Sequence, residues 1–308
     1  MFRLNYEKKD LGSSFAVAVA TMVLASLVLG LIFGVEASGW KFWLMQALYT
    51  LLIGGSAVVY GVLTKTKVVV ATKLNVAPSY AHVLWGVLAV TFLIACMTPV
   101  NSALLNGIEA LGLKRPSVNL EDNVIGLLAV ACLLPAICEE LLFRGTVAMS
   151  LEGSSNKLAA LAISGALFAV YHANPAQTIH QFVLGAFLTL LVFRSGSLWT
   201  SVIVHLFNNV LVVVLSYTAL GEEQFWSFSS NTAVVVTCLC VGVVGFVASV
   251  FGYLKTTKSA WHGSQGAVGK STPSETKSTA QFNFTSFITL AVAVAVCVVM
   301  WVASLFAV

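Results

Sequence analysis

The chain has 308 residues, of which 58% are hydrophobic and only 9% are charged, and its mean hydropathy is +0.93. A composition this apolar excludes a soluble globular domain of this size. The formal net charge of +4 is small, and nothing in the sequence indicates nucleic-acid binding. All six cysteines fall within apolar runs, which predicts small buried hydrophobic residues rather than disulfides or metal ligands.

Apolar runs of about 20 residues recur along the chain and predict an all-α, polytopic transmembrane helical bundle of about eight to nine spans. In chain order, the nine expected spans cover residues 14–35, 42–63, 82–100, 124–151, 157–172, 177–193, 198–219, 231–254 and 284–308. The first is longer than the apolar region of a cleaved signal peptide, so it is predicted to be an anchor.

We expect three parts of the chain: N-terminal transmembrane helices with an interfacial segment (1–123), a central core (124–219) and C-terminal helices (220–308). The last part contains a polar stretch, 255–281, rich in Ser, Thr, Gly and Lys. This stretch is predicted to be a mobile loop.

Lysine and arginine are concentrated in the amino terminus, the 65–73 loop, the turns near residues 152 and 195, and the segment after residue 255. The other side holds only Lys41, Lys114 and Arg115. The apolar runs predict an integral, multi-pass protein of the cell membrane, and by the positive-inside rule this asymmetry predicts its orientation. Its amino terminus is expected in the cytoplasm and its carboxyl terminus outside.

The segment Glu139–Gly145 places two adjacent carboxylates in an apolar run, where their burial is costly. Glu140 and Arg144 are four residues apart, so a helix places them on one face within reach of a salt bridge. Glu139 points about 140° away from Arg144 around the helix. The simpler interpretation is an ion pair beside one carboxylate that faces water. The functional interpretation is that Glu140 and Arg144 brace the helix and leave Glu139 free for chemistry.

Two histidines lie inside predicted spans where they can meet Glu139. His172 ends the fifth span, and His205 lies in the seventh, one helical turn before Asn209. At about 1.5 Å of rise per residue, these side chains lie about 13 to 27 Å from the turns on the cytoplasmic side. For either histidine alone, a structural hydrogen bond is the simpler interpretation. Together, the four residues predict one cavity that opens to the cytoplasm.

These residue types favour hydrolysis of a peptide bond. A carboxylate and an imidazole can hold a water molecule between them and remove its proton. A second imidazole and a carboxamide can donate hydrogen bonds to the oxyanion that forms when this water attacks an amide. No serine or cysteine lies in a recognisable nucleophile motif, which disfavours an acyl-enzyme. We expect no cofactor. Zinc is the alternative, although neither histidine belongs to a His-Glu-x-x-His motif and asparagine is a poor zinc ligand.

Three motifs in this order resemble those of the CAAX prenyl endopeptidase family and its bacterial relatives, the CPBP or Abi family. The family's Glu-Glu-x-x-x-Arg, Phe-x-x-x-His and His-x-x-x-Asn/Asp motifs are similar to Glu139, Glu140 and Arg144, to Phe168 and His172, and to His205 and Asn209. The resemblance covers residues 124–215 and leaves the flanking spans outside.

The resemblance implies a glutamate-dependent intramembrane endopeptidase that acts on a peptide or a membrane-associated protein. It implies that Glu139 and His172 activate water, and that His205 and Asn209 form the oxyanion hole. Two other functions stay open. One is a membrane immunity protein, for example against a bacteriocin, or an interaction protein that keeps the cavity without turnover. The other is a small-solute transporter, for which the sequence offers no inverted repeat.

Two further histidines are assigned to structural positions rather than to the site. His180 is predicted to form a hydrogen bond at a helix end on the outer side, and His82 to lie at the cytoplasmic interface.

Overall fold

The structure is a computed structural model that describes residues 2–34, 37–113, 123–217, 231–261 and 283–306. These residues form long helices and contain no strand, so the predicted all-α fold is confirmed. The helices are α1 (Asp10–Phe33), α2 (Trp40–Leu63), α3 (Tyr80–Ala110), α4 (Val124–Leu151), α5 (Lys157–Tyr171), α6 (Thr178–Ser195), α7 (Leu198–Tyr217), α8 (Thr232–Thr256) and α9 (Phe284–Ser304).

Eight of these helices are long and apolar enough to cross a membrane, within the part of the chain that the structure describes. The protein is therefore a multi-pass integral membrane protein, as predicted. The exception is α5, which has 15 residues. At about 1.5 Å per residue it measures about 22 Å, which is shorter than the apolar thickness of a bilayer, about 30 Å. Its bounds match the predicted fifth span, 157–172, to within one residue, and its length alone places it outside the eight candidate spans.

Several predicted boundaries move in the structure. The predicted interfacial segment lies between the third and fourth spans and contains Glu109. Helix α3 extends to Ala110 with Pro99 inside it, so Glu109 belongs to this helix. Residues 114–122 of the predicted segment lie outside the described residues. The cysteines also differ from the expectation, because Cys238 is only half-buried and Cys240 is exposed.

Helix α4 is irregular on both sides of its two glutamates. A π-helical stretch, Leu127–Leu133, precedes Pro135, and a second one follows at Phe143–Val147. A proline ring clashes with the carbonyl one turn earlier, and a wider turn relieves that clash. The two wide turns change the rotation of α4 along its length, so simple helical periodicity does not carry through it.

Helices α5 and α6 form a closely packed antiparallel hairpin. A Cβ atom added to Gly165 would lie 2.5 Å from the Phe182 carbonyl oxygen, and one added to Gly185 would lie 3.0 Å from the Gly165 Cα. The hydroxyl groups of Ser164 and Thr189 are hydrogen-bonded across the same interface at 2.8 Å. Close contact of the two backbones therefore depends on glycine at both positions.

One end of the bundle, which we call the basic end, is covered by packed loops. It consists of residues 64–79, 152–157, 194–198 and 255–261. The Leu198 amide donates to the Lys73 carbonyl at 3.3 Å, and the Trp199 indole donates to the Leu74 carbonyl at 2.9 Å. The lysine and arginine residues at or beside this end are Arg3, Lys8, Lys9, Lys65, Lys67, Lys73, Lys157, Arg194, Lys255 and Lys258.

The expected mobile loop is packed at its start. Helix α8 continues through Thr256, and Arg194 Nε donates to the Thr257 hydroxyl at 2.8 Å. The Trp261 indole donates to the Glu152 carbonyl at 3.0 Å. Residues 255–261 are therefore packed against the bundle, and the mobility of the predicted loop stays a prediction. The remainder of the predicted loop, 262–281, lies outside the described residues.

His82 belongs to this packed region rather than to a solvated interface. Its Nε2 atom lies 3.2 Å from the Lys258 carbonyl oxygen, and its ring meets the Tyr253 ring edge-on. The side chain therefore holds the segment after α8 against the start of α3.

Candidate active site

The predicted ion pair lies in the interior of the bundle. Arg144 Nη1 donates to Glu140 Oε1 at 2.7 Å, and neither side chain is exposed. The guanidinium also donates to the Gly185 carbonyl at 3.3 Å and lies 4.0 Å above the centre of the Phe168 ring. The buried guanidinium of Arg144 thus joins helix α4 to both helices of the α5–α6 hairpin, through the Phe168 ring and the Gly185 carbonyl.

Glu140 has a second partner that the sequence did not indicate. The Nδ1 atom of His205 lies 2.9 Å from Glu140 Oε1, the oxygen that also accepts from Arg144. A carboxylate paired with arginine is ionised and can only accept, so Nδ1 of His205 must carry the proton. The opposite ring atom, Nε2, is turned toward Glu139 and lies 4.0 Å from its Oε2.

The second histidine is oriented by a backbone carbonyl. Nδ1 of His172 lies 2.8 Å from the Phe168 carbonyl oxygen, one turn earlier in α5. A carbonyl accepts but does not donate, which places the proton on Nδ1 of this ring as well. Nε2 of His172 therefore faces outward from the helix end, and it lies 3.7 Å from Glu139 Oε2.

Glu139 is thus the point at which the two imidazoles converge. Its side chain is 21% exposed, as is that of His172, whereas His205 is 4% exposed. Distances of 3.7 and 4.0 Å from Oε2 are longer than a direct hydrogen bond. They suit a small polar molecule that is shared between the carboxylate and a ring nitrogen. The predicted meeting of these three side chains is present in the structure.

Asn209 lies one turn beyond His205 on α7 and faces α4. Its Nδ2 atom is 3.4 Å from the Cys132 carbonyl oxygen, which is a long hydrogen bond. Its Oδ1 atom accepts from Nδ2 of Asn208 at 3.1 Å. The carboxamide therefore has its oxygen engaged and its NH₂ group only weakly held.

Phe168 packs against most of this group. Its ring meets the His172 ring at 4.4 Å and the His205 ring at 6.1 Å between centroids, both nearly edge-on. Phe143 packs against it from α4 at 5.0 Å. The four-residue spacing of Phe168 and His172 signals only that they share a helical face. The contacts with Arg144 and His205 come from other helices and have no sequence signal.

The turn after His172 is held by a helix from outside the motif region. Ala173 has a φ of 46°, a left-handed conformation that is uncommon for a residue with a side chain. The Trp301 indole of α9 donates to the Thr178 hydroxyl at 2.8 Å, and that hydroxyl donates to the Asn174 carbonyl at 2.8 Å. Helix α9 therefore fastens the tip of the hairpin that carries His172.

Sequence reasoning missed two buried residues beside the site. His180 and Asn208 are 8% and 6% exposed, and the His180 ring lies in the neighbourhood of the His172 and His205 rings. His180 lies in the first turn of α6, as predicted, but its Nε2 atom is buried without the expected hydrogen-bond partner among the described residues. The sequence signal for Asn208 is only its position next to Asn209.

Among the described residues, no group of three or more His, Cys, Asp and Glu side chains has the arrangement of a metal site. The polar contacts of Glu140 are to a cation and to an imidazole N–H. These contacts do not test whether zinc binds, so the zinc alternative stays a prediction.

The fold and this geometry define a polytopic membrane protein with a carboxylate–imidazole site inside the helical bundle. The family model described as type II CAAX prenyl endopeptidase Rce1-like matches residues 121–211. The match includes the seven residues named from the motifs, and over these residues the predicted resemblance is confirmed. Helices α1, α2, α3, α8 and α9 lie outside it. Neither the curated proteins nor the solved structures contain a significant match to the chain.

Proposed function

We propose that the protein is an intramembrane endopeptidase of the CAAX-protease type, which hydrolyses a peptide bond in a peptide or a membrane-associated protein. The observation that carries this proposal is the approach of two imidazole Nε2 atoms to one carboxylate oxygen of Glu139, at 3.7 and 4.0 Å. The match of residues 121–211 to an endopeptidase family supports the same reaction class.

In the proposed reaction, a water molecule binds between Glu139 and His172. The Nε2 atom of His172 has a free lone pair, because Nδ1 carries the proton that is donated to the Phe168 carbonyl. Glu139 and His172 can each accept a proton from the water, and the resulting hydroxide attacks the carbonyl carbon of the peptide. A tetrahedral intermediate with one oxyanion forms.

His205 and Asn209 are assigned to the oxyanion. His205 donates through Nδ1 to Glu140, so it can donate through Nε2 only as the doubly protonated imidazolium. Charge balance supports this state. With neutral histidines, the side chains of Glu139, Glu140 and Arg144 carry a net charge of −1, and protonation of His205 brings the buried group to zero. Asn209 contributes its weakly held NH₂ group.

Collapse of the intermediate breaks the bond between carbon and nitrogen. The proton taken from water passes from Glu139 or His172 to the leaving amine, which restores both side chains. The products are a new carboxylic acid, which contains the oxygen of the water and releases its proton to the solvent, and a new amine. No acyl-enzyme and no cofactor take part in this proposal.

We place the basic end in the cytoplasm of the cell, because lysine and arginine favour the cytoplasmic side of a membrane. Ten described lysine and arginine residues lie at or beside that end, as named above, whereas Lys41 lies at the other end. His205 is seven residues from the start of α7 at the basic end, which is about 10 Å along the helix. We propose that the site opens toward this side.

The proposal is tested with membranes that contain the wild type or the Glu139→Gln variant, incubated in water labelled with ¹⁸O. Mass spectrometry then searches membrane-associated proteins for new carboxyl termini that contain the label. Two probe peptides are included: a farnesylated peptide that ends in a CAAX sequence, and the same peptide without the lipid. We expect labelled termini with the wild type and none with Glu139→Gln.

Equal labelling in the two membranes would overturn the endopeptidase assignment. If a biological effect of the protein also survives in Glu139→Gln, the non-catalytic immunity or interaction role replaces it. The two probes decide whether prenylation of the substrate matters.

A further inference from the structure

Three polar side chains on two helices continue from the candidate site into the interior of the bundle. They are His180 on α6 and Asn208 and Asn209 on α7. His180 and Asn208 are more than nine-tenths buried. Buried histidine and asparagine side chains normally have hydrogen-bond partners, so their arrangement requires an explanation.

The orientation of Asn209 depends on its neighbour. Asn208 Nδ2 donates to Asn209 Oδ1 at 3.1 Å, so the oxygen of Asn209 is occupied. The NH₂ group of Asn209 then points the other way, toward α4, where its contact with the Cys132 carbonyl is long at 3.4 Å. A rotation of the Asn209 amide by 180° would set its NH₂ group against the NH₂ group of Asn208. Asn208 thus selects the orientation in which Asn209 presents a donor.

Asn208 has the same choice of two orientations. With its Nδ2 atom directed at Asn209, its Oδ1 atom is directed away from Asn209. The His180 ring interacts with this carboxamide. Both Asn208 Oδ1 and His180 Nε2 are buried, and neither has a hydrogen-bond partner among the described residues. An acceptor oxygen and a ring N–H are matched in chemistry as hydrogen-bond partners.

We propose that His180 and Asn208 form a positioning relay that holds the Asn209 carboxamide with its NH₂ group directed at the reacting carbonyl. The inference rests on the proposed endopeptidase function. His180 donates from Nε2 to Asn208 Oδ1, Asn208 donates to Asn209 Oδ1, and Asn209 donates to the oxyanion. Neither His180 nor Asn208 contacts the substrate. Both act through Asn209.

A purely structural role does not account for this arrangement. If these positions served only packing, apolar side chains at 180 and 208 would avoid the free-energy cost of burying two polar side chains. The start of α6 is also fixed by another contact, between Trp301 and Thr178 at 2.8 Å. His180, two residues further along α6, is therefore not needed to fasten this helix end.

The experiment measures kcat and KM for the probe peptide that the wild type cleaves, or for a peptide that contains a cleavage site found by ¹⁸O labelling. His180→Met keeps the side-chain volume and removes the donor, and His180→Gln keeps an N–H donor. We expect His180→Met to lower kcat about tenfold to a hundredfold with KM within about twofold, because a misdirected oxyanion donor affects only the transition state. His180→Gln is expected to restore most of kcat.

A double-mutant cycle with Asn208→Leu tests whether the two residues act in series. In that background His180→Met is expected to have no further effect on kcat. The control is His82→Met, which removes another histidine that is 8% exposed, at the basic end of α3. His82→Met is expected to lower thermal stability and to leave the kcat of the folded protein unchanged.

Three results would overturn the relay: a wild-type kcat in His180→Met, equal losses in His180→Met and His180→Gln, or additive effects in the cycle. A readout that needs no activity is the side-chain NH₂ resonance of Asn209 in asparagine-labelled protein. It is expected to shift in His180→Met and to stay in place in His82→Met, and an unshifted resonance would also overturn the relay. Glu139→Gln separates the two proposals: if Glu139→Gln is inactive while kcat in His180→Met is normal, only the relay fails.

Discussion

His205 donates its Nδ1 proton to Glu140 across 2.9 Å, and this bond turns the opposite edge of the ring toward Glu139. The second glutamate of the pair therefore does more than neutralise Arg144. It fixes the orientation and tautomer of an imidazole on another helix, much as an outer carboxylate orients a histidine in other hydrolytic sites. The two adjacent carboxylates consequently have different environments. Glu140 is fully buried between two nitrogen donors, and Glu139 is partly exposed between two ring nitrogens.

This difference predicts that the same Glu→Gln substitution lowers folding stability strongly at position 140 and only slightly at position 139. Glu140→Gln leaves the Arg144 charge buried without a counter-ion, so we expect a loss of about 3–5 kcal/mol in folding free energy. Glu139→Gln removes a side chain charge that is 21% exposed, and it is expected to change the unfolding temperature little while abolishing hydrolysis. Thermal unfolding of the two variants in detergent checks the two stability predictions, and the ¹⁸O experiment checks the loss of hydrolysis. Equal unfolding temperatures for the two variants would contradict the assignment of the buried brace.

Arg144→Lys tests the shape of the cation rather than its charge. Lysine keeps the positive charge, but it loses the planar group that donates to Glu140 and Gly185 and lies on the Phe168 ring. We expect a loss of about 1–3 kcal/mol in folding stability. Lys67→Arg, a reverse change in a loop at the basic end, serves as the matched control. An Arg144→Lys protein as stable as the wild type would show that charge alone suffices.

The glycine contact between α5 and α6 predicts a packing defect. In Gly165→Ala the new methyl group would lie 2.5 Å from the Phe182 carbonyl oxygen, so the hairpin must open. We expect a loss of about 1–3 kcal/mol in stability and lower activity, because Arg144 of α4 donates to the carbonyl of Gly185, which lies at this interface. Gly55→Ala is the control, since a Cβ atom there meets nothing within 4 Å. Similar stabilities of the two variants would contradict the prediction.

Trp301→Phe tests whether α9 supports the site from outside the matched region. The substitution removes the indole donor to Thr178 and keeps most of the aromatic volume. We expect faster hydrogen exchange at residues 173–178 and a decrease in kcat of about severalfold, because His172 precedes this turn. Trp199→Phe removes a comparable indole bond at the basic end and is expected to leave exchange at 173–178 unchanged. Unchanged exchange at this turn in Trp301→Phe would mean that α9 is dispensable for the tip.

The proposed water activation requires no metal, so a strong chelator is expected to leave the rate of hydrolysis unchanged. The rate of probe cleavage, measured before and after dialysis against the chelator, checks this expectation. A loss of activity that added zinc restores would favour the zinc alternative, in which the glutamates and histidines bind the metal.

Much of the fold and of the site could be predicted from the sequence, because the relevant physics is local. Runs of about 20 apolar residues identify helices that span a bilayer whatever their neighbours are. A spacing of four residues brings Glu140 to Arg144, and it places His205 and Asn209 on one face, because each helical residue turns about 100°. The resemblance to the endopeptidase family rests on three such local motifs that follow one another along the chain.

The relations between helices needed the tertiary structure. Which imidazole meets Glu140, and how Phe168 comes to lie beneath Arg144, depend on the rotation of each helix about its own axis. That rotation is altered in α4 by two π-helical stretches and set between α5 and α6 by the contact of Gly165 with Gly185. The same reason explains why the burial of His180 and the packing of residues 255–261 were not predicted, since their neighbours lie on other helices.

The sequence by itself determined that the protein is a helical membrane protein with the motif residues of an endopeptidase family. Only the tertiary structure decided that Glu139 stands between two imidazoles while Glu140 is enclosed by Arg144 and His205. A single helix satisfies its backbone hydrogen bonds and its hydrophobic requirement within about 20 residues, so the local sequence is enough to predict it. The rotation and tilt of one helix against another are set by side-chain packing over the whole bundle, which no single segment contains.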